Sequence, residues 1–316
     1  MDFPTFHAVR IQDIATACFA IESGRIDMVG MMRAHMTDPH IVRKIIERRE
    51  NDIRSCVGAN YCLNYIYQGG MALCIHNAAT GRELEMLQTI RPAQAKRRIV
   101  IVGAGPAGLE AARVAGERDH EVIVLEAMND PGGQIRLTAQ NVRCKEMMGI
   151  VDWRMAQCEK LGVRFSFNTW ADTETVLAQN PDVVIVATGS MPHTEVCREG
   201  NEHVVSSWDI ISGDVKPGAK ALIFDDAGDH AALQAAETIA QASGRVEVTT
   251  PDRTFSPEVV SMNLVPYMRL LQKLATTFTV TFRLEAVRRE GSELLATIGS
   301  GLWRREERAA LRSDRR

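Results

Sequence analysis

Along the chain, short runs of consecutive apolar residues alternate with stretches of helical spacing, the pattern of βα units. The clearest set starts at Arg98, where Ile99-Val-Ile-Val102 forms a β-prone run and Ala-rich helical sequence follows Pro106. A second strand, Glu121-Val-Ile-Val-Leu-Glu126, comes next. After Pro217-Gly218 the pattern returns, with strand 221–225, helix 231–242, strand 246–250, helix 257–275 and strand 277–284. Ahead of both sets, residues 11–22 have helical spacing that ends at Gly24, and residues 26–32 read as a short buried strand. Residues 39–49 read as an amphipathic helix after an Asp38 cap, with Pro39 in its first turn. Such βα units do not form a domain alone, because a lone strand exposes both edges. The fold class is therefore α/β. Residues 1–55, 56–97, 98–215, 216–301 and 302–316 form successive segments, the second loop-rich and the last rich in arginine.

Between the first two strong strands lies Gly103-Ala104-Gly105-Pro106-Ala107-Gly108, and Glu126 ends the second strand about 20 residues later. Strand, glycine turn, helix, strand and acid make up the dinucleotide fingerprint in its proper context. Gly103 allows the tight turn, Gly105 admits a pyrophosphate to the backbone, and Gly108 permits close helix–strand packing. The helix N-terminus offers partial positive charge, and Glu126 can accept hydrogen bonds from ribose hydroxyls. These residues point to an adenine nucleotide, FAD or ADP.

At 316 residues, 45% hydrophobic and 24% charged with net charge −3, the chain has ordinary globular composition. Its charge gives no electrostatic case for nucleic acid or an acidic membrane. No apolar run has transmembrane length and the N-terminus has no signal-peptide pattern, so the expected location is the cytoplasm. The seven cysteines do not suggest a disulfide framework. Three of them cluster, as Cys56-Val-Gly-Ala59-Asn-Tyr-Cys62 followed by Cys74-Ile-His76. Spacing alone leaves an iron–sulfur cluster, a structural zinc site and three buried thiols nearly balanced.

Together these segments resemble the trimethylamine dehydrogenase and 2,4-dienoyl-CoA reductase group of flavoproteins. Cys56–Cys62 and Ala72-Leu-Cys-Ile-His-Asn-Ala-Ala-Thr-Gly-Arg-Glu83 are most similar to the dimethylglycine and N-methylproline demethylase branch. The resemblance implies the end of a (β/α)8 FMN barrel in 1–55 and an iron–sulfur segment in 56–97. It implies a FAD- or ADP-binding Rossmann domain in 98–215, with an inserted second Rossmann-like domain in 216–301. Gly30, Met32 and Arg33 match the FMN-phosphate loop, and Cys56, Cys62 and Cys74 match three of four cluster ligands. Ala59 replaces the fourth, which leaves a three-iron cluster, a ligand such as His76, or no cluster. Gly132, Gly133, Gln134, Ala187, Thr188 and Gly189 match segments lining the adenine dinucleotide.

Two departures shape the functional expectation. In that family the strands carrying the flavin ring, substrate and catalytic residues precede the part matched here, so no catalytic residue is assigned and the chain alone is expected to be inactive. In the second βα set, Phe224-Asp225-Asp226-Ala-Gly228-Asp229 stands where an NAD(P)H domain carries its glycines. Carboxylates there repel a pyrophosphate. The expectation is oxidative demethylation of a small N-methylated amine or amino acid, with electrons passed through FMN and cluster to an acceptor such as an electron-transfer flavoprotein. The alternatives are an NAD(P)H-dependent enoate or dienoyl-CoA reductase and a non-catalytic nucleotide-binding module. The Arg-rich segment after Trp303 reads as a solvated helical end or a nucleic-acid arm, and truncation or a frameshift is the preferred account of it.

Overall fold

Val100, Ile101 and Val124 are completely shielded from solvent. Strands covered on both faces need apolar side chains at every position, which is why their sequence is a continuous run. In the computed structural model, which describes residues 3–300, 305–311 and 314–315, these strands belong to an α/β molecule with parallel sheets. The chain divides into two units, Met1–Gly189 and Ser190–Arg316.

In the first unit four parallel strands lie in the order Arg164–Ser166, Glu121–Leu125, Arg98–Val102, Val183–Val186. Because side chains alternate between faces, Ile99, Ile101, Val122 and Val124 share a core with Leu109, Ala112 and Ala115 of helix Pro106–Glu117. Ile150, Val151 and Cys158 of helix Gly149–Lys160 complete that layer. Val100, Ile123 and Leu125 pack on the other side with Val176. Upstream, strands Phe6–His7 and Met28–Val29 pair in parallel. The expected helix 11–22 begins at Ile14, because the Asp13 side chain accepts from the Thr16 N–H at 2.8 Å and caps it there. The expected strand 26–32 is shortened to Met28–Val29, and Met32 already starts helix Met32–Thr37. The expected helix 39–49 is Ile41–Ile46, with Arg48 in the left-handed region at φ 55°.

A buried ionic network ties this unit together. Arg113 meets Glu110 at 2.6 Å and Glu117 at 2.5 Å. Arg154 meets Glu110 at 2.7 Å and donates to the His76 carbonyl at 3.1 Å. Arg54 lies 4.1 Å over the Trp153 ring, whose Nε1 donates to the Asp52 carbonyl. Burial opposes ionisation of Glu110, yet the Arg113 hydrogen bonds and the charges of Arg154 and Arg54 hold its carboxyl at about 2. Burial, reinforced by repulsion from Arg113, pulls the Arg54 guanidinium down to about 10.

In the second unit, parallel strands Lys220–Phe224, Arg245–Thr250 and Thr277–Val280 lie side by side. Helix His230–Gln241 buries Leu233, Ala235, Ala236 and Ile239. The expected strand 277–284 is two strands, because Thr281 at φ 64° breaks the run. Its second part, Phe282–Glu290, opens an antiparallel sheet with Glu293–Ser300 and Arg305–Leu311. The expected helix 257–275 starts only at Ser261, after Ser256 at φ 44°. Arg305–Leu311 corrects the reading of the tail as a helical end, since its backbone completes a sheet edge. Residues 301–304, 312–313 and 316 of that tail lie outside the described residues.

Glu110→Gln leaves the buried Arg154 without its carboxylate partner and Arg113 with Glu117 alone, and a loss of about 3–5 kcal/mol is expected at neutral pH. Because the Glu110 carboxyl titrates below its usual 4.5, its contribution is present above that value and lost as pH falls through about 2. Denaturant titrations of both proteins between pH 7 and pH 2 test this, and the variant's curve should be flatter in the acid range.

Candidate functional site

Each glycine of the 103–108 turn has its own steric reason. A Cβ on Gly103, at φ 102°, would lie 2.4 Å from the Ala187 carbonyl oxygen. A Cβ on Gly108 would lie 1.9 Å from the Gly103 carbonyl oxygen. A Cβ on Gly105 would meet nothing within 4 Å. The first two glycines are thus required by the chain itself, whereas Gly105 borders open space. Helix Pro106–Glu117 begins there, and its first-turn amides at Ala107 and Gly108 have no acceptor within the helix.

The other residues expected around a nucleotide converge on this turn, at the C-terminal end of the parallel sheet. Glu126 accepts from the Ala104 N–H at 2.6 Å and from the Met128 N–H at 2.9 Å. A carboxylate has about four lone-pair sites, so acceptor capacity remains. Gly132 donates to the Ala104 carbonyl at 2.8 Å. A Cβ on Gly133 would sit 3.4 Å from the Gly105 Cα, and one on Gly189 would sit 3.9 Å from the Gln134 Nε2. Ala187 donates to the Val102 carbonyl at 2.8 Å, which brings Thr188 and Gly189 beside the glycines.

Cys56, Cys62, Cys74, Ala59 and His76 wall a second pocket in the same unit. The Cys74 Sγ accepts from the His76 and Asn77 amides, both at 3.4 Å, and lies 3.7 Å from the Thr37 hydroxyl. Burial pushes the Cys62 thiol up, and Cys56 and Cys74 add to that, while the Leu63 amide and Arg33 oppose it. Among the described residues no three His, Cys, Asp or Glu side chains gather closely enough to share one ion. Arg33 lines this same pocket and donates to the Asn60 Oδ1 at 3.3 Å. Met32 is exposed, and a Cβ on Gly30 would come within 2.8 Å of the Ala8 Cβ. Burial lowers His76 to about 3, with Arg154 and Arg54 adding to the shift, so its imidazole is neutral.

In the second unit the turn after strand Lys220–Phe224 is filled by its own carboxylates. Asp225 is buried and accepts from the Gly228 N–H at 2.8 Å, with the Ser256 hydroxyl at 3.4 Å. Asp229 accepts from the Ala231 N–H at 2.8 Å and caps helix His230–Gln241. Burial raises the Asp225 carboxyl above its usual range. A cavity of about 320 Å³ beside this turn has largely apolar walls that include Ile210, Phe224, Ile239 and Leu284.

The chain is 71% identical over 299 residues to a probable N-methylproline demethylase of Rhizobium meliloti (strain 1021), covering 95% of this chain and 44% of that protein. It is 41% identical over 304 residues to an N,N-dimethylglycine/sarcosine dehydrogenase of Chromohalobacter salexigens, covering 93% of this chain and 44% of that protein. The chain resembles the N-methylproline and dimethylglycine demethylases. It spans less than half the length of these two relatives. Residues 72–204 match the family model of pyridine nucleotide-disulphide oxidoreductases. Among solved structures, a 2-naphthoyl-CoA reductase complex superposes with TM-score 0.86 at 28% identity, over 99% of this chain and 46% of that one.

Sequence reasoning missed three features of this demethylase-like chain. The stack of Arg54 on Trp153 and the His76 environment join residues far apart in the chain, so no local spacing announces them. The cavity in the second unit arises where helix and sheet side chains fail to meet. No helix among the described residues is long and apolar enough to cross a membrane.

The glycines give a discriminating prediction. Gly105→Asp should abolish nucleotide binding by calorimetry with unchanged circular dichroism. Gly108→Ala should lower stability by about 1–3 kcal/mol or more, because its Cβ overpacks the turn. Unchanged affinity in the Gly105 variant would sink the assignment.

Proposed function

We propose that this chain is the nucleotide- and cluster-bearing part of a flavin-dependent oxidoreductase that oxidatively removes an N-methyl group from a small amine or amino acid. The observation that carries the reading is the open space at Gly105, framed by first-turn amides and Glu126, in a chain 71% identical to a probable N-methylproline demethylase. FAD or ADP would be held by residues 103–108, with Glu126 at the ribose and Gly133, Gln134, Ala187, Thr188 and Gly189 as the facing wall. The helix N-terminus suits its phosphates.

Residues 1–55 are read as the end of a (β/α)8 barrel, a reading supported by the parallel pairing of Phe6–His7 with Met28–Val29. Gly30, Met32 and Arg33 would then serve an FMN phosphate, with Arg33 as a charge-assisted donor. In this reading residues 98–215 carry the FAD- or ADP-binding Rossmann domain and residues 216–301 form an inserted second Rossmann-like domain.

The cysteine pocket is read as an iron–sulfur segment. Three thiols wall one space, two backbone amides point at the Cys74 sulfur, and Arg33 places positive charge nearby. A cluster distributes its ligands over separate irons, whereas structural zinc gathers four ligands on one ion. When bound, such a group supplies one-electron transfer. The chain's own part would be to hold the thiolates and donate backbone hydrogen bonds to the Cys74 sulfur. An electron-transfer flavoprotein is the acceptor that this reading implies.

The rival reading, an NAD(P)H-dependent enoate reductase, needs a dinucleotide site in the second unit. Asp225 fills that turn and Asp229 already caps the helix where a phosphate would bind. The test has two arms. Calorimetry of the chain should show one FAD or ADP bound and no NADPH bound in the Gly105→Asp background. A longer protein carrying this sequence should oxidise dimethylglycine or N-methylproline with an artificial acceptor. NADPH-driven reduction of an enoate, without amine oxidation, would overturn the proposal.

A further inference from the structure

We propose that Trp170 is the platform on which the adenine of FAD or ADP stacks. The inference rests on the nucleotide reading above and deepens it by naming the side chain that takes the base.

The order of strands decides where the base falls. The pyrophosphate belongs at the glycine turn after Arg98–Val102, and the ribose belongs at Glu126, just past the neighbouring strand Glu121–Leu125. Strand Arg164–Ser166 lies beyond Glu121–Leu125, and Val183–Val186 lies on the other side of Arg98–Val102. The strand order reverses between Arg98–Val102 and Val183–Val186, and the second half of a dinucleotide crosses at such a point. The adenosine half runs the other way. From turn to ribose is a step of one strand, about 4.8 Å, and the base continues in that direction. It comes over the residues that follow Arg164–Ser166.

Those residues form a hook onto the ribose segment. The Glu126 N–H donates to the Ser166 carbonyl at 2.9 Å, and the Thr169 N–H donates to the Glu126 carbonyl at 2.8 Å. The Asn168 N–H donates to the Met128 carbonyl at 3.0 Å. Asn168 makes the bend at φ 53°, a conformation that asparagine tolerates better than most residues. Downstream, Ala171 packs on the core of Val100 and Ile123. Asp172 then accepts from the Thr175 N–H at 2.8 Å and caps helix Thr173–Leu177. The backbone on both sides of Trp170 is thus fixed next to Glu126.

On this fixed backbone the indole is 84% exposed. Tryptophan is ordinarily among the most buried side chains on average, and an exposed one on a rigid segment is ready to bury its area against a ligand. Met128, on the segment that Asn168 grips, is exposed as well. Neither residue belongs to the apolar clusters on the two faces of the sheet. A flat aromatic surface beside the ribose acid suits a purine, because every base has a π-face and stacking needs no particular hydrogen-bond pattern.

The test uses the full chain freed of nucleotide, with ADP as the probe, calorimetry for affinity and tryptophan emission as a second readout. Trp170→Ala should weaken ADP about tenfold or more, with unchanged circular dichroism. Trp170→Phe keeps a flat ring and should recover most of the affinity. The quenching of tryptophan emission that ADP causes in the unaltered chain should be lost in Trp170→Phe, and that loss decides the matter where the Ala variant folds poorly. Unchanged affinity in Trp170→Ala, equal loss in both variants, or quenching retained in Trp170→Phe overturns the stacking and leaves the nucleotide reading intact. Failure of the unaltered chain to bind ADP overturns both.

Discussion

The buried guanidinium of Arg154 joins the two sites of the first unit. One side of it meets Glu110, on the helix that starts at the glycine turn, and the other donates to the backbone of the cysteine segment at His76, 78 residues away in sequence. A charge placed there requires compensation, and Glu110 supplies it while also binding Arg113. The helix that offers its N-terminus to a nucleotide and the loop that carries the thiols are therefore held by one network. Trp153, next to Arg154 on the same helix, adds the apolar part by packing against Arg54 on one side and His76 on another. Movement of the cysteine loop away from the Rossmann core would uncover Trp153 and cost Arg154 its bond to the His76 carbonyl.

Much of the nucleotide turn was legible because its constraints are local. Gly103 and Gly108 are needed by the chain's own backbone within a few residues or across one strand, so their spacing carries the geometry with it. The chemistry at His76 was legible only as a residue type. Its tautomer depends on the Ser55 carbonyl, its orientation on Trp153 and its backbone on Arg154, and no spacing rule connects those positions. The Arg-rich tail misled for the same physical reason in reverse. Its composition suggests a solvated helix, yet Arg305–Leu311 is a strand because Glu293–Ser300 offers an edge to pair with, and pairing between strands overrides local preference. The boundary errors near the N-terminus have smaller causes, namely the Asp13 cap and the left-handed turn at Arg48.

The two units repeat one plan, strand into turn into helix, with opposite chemistry at the turn. In the first, a glycine borders open space and the carboxylate of Glu126 stands back at the end of the neighbouring strand. In the second, Asp225 is drawn into the turn itself, where the Gly228 amide and the Ser256 hydroxyl take up its oxygens. The amide that would face a phosphate is already spent on a carboxylate, and burial raises that carboxyl, with the charges of Asp229 and Asp252 adding to the shift. Asp229 then closes the helix end that would otherwise attract an anion. Accepting NAD(P)H there would require removing at least two carboxylates from positions where each satisfies a backbone donor. A fold that had kept hydride delivery through this unit would have had no physical reason to fill the turn this way. The asymmetry leaves the turn of the first unit, whose helix begins with amides that have no acceptor within the helix, as the one of the two built to meet an anion.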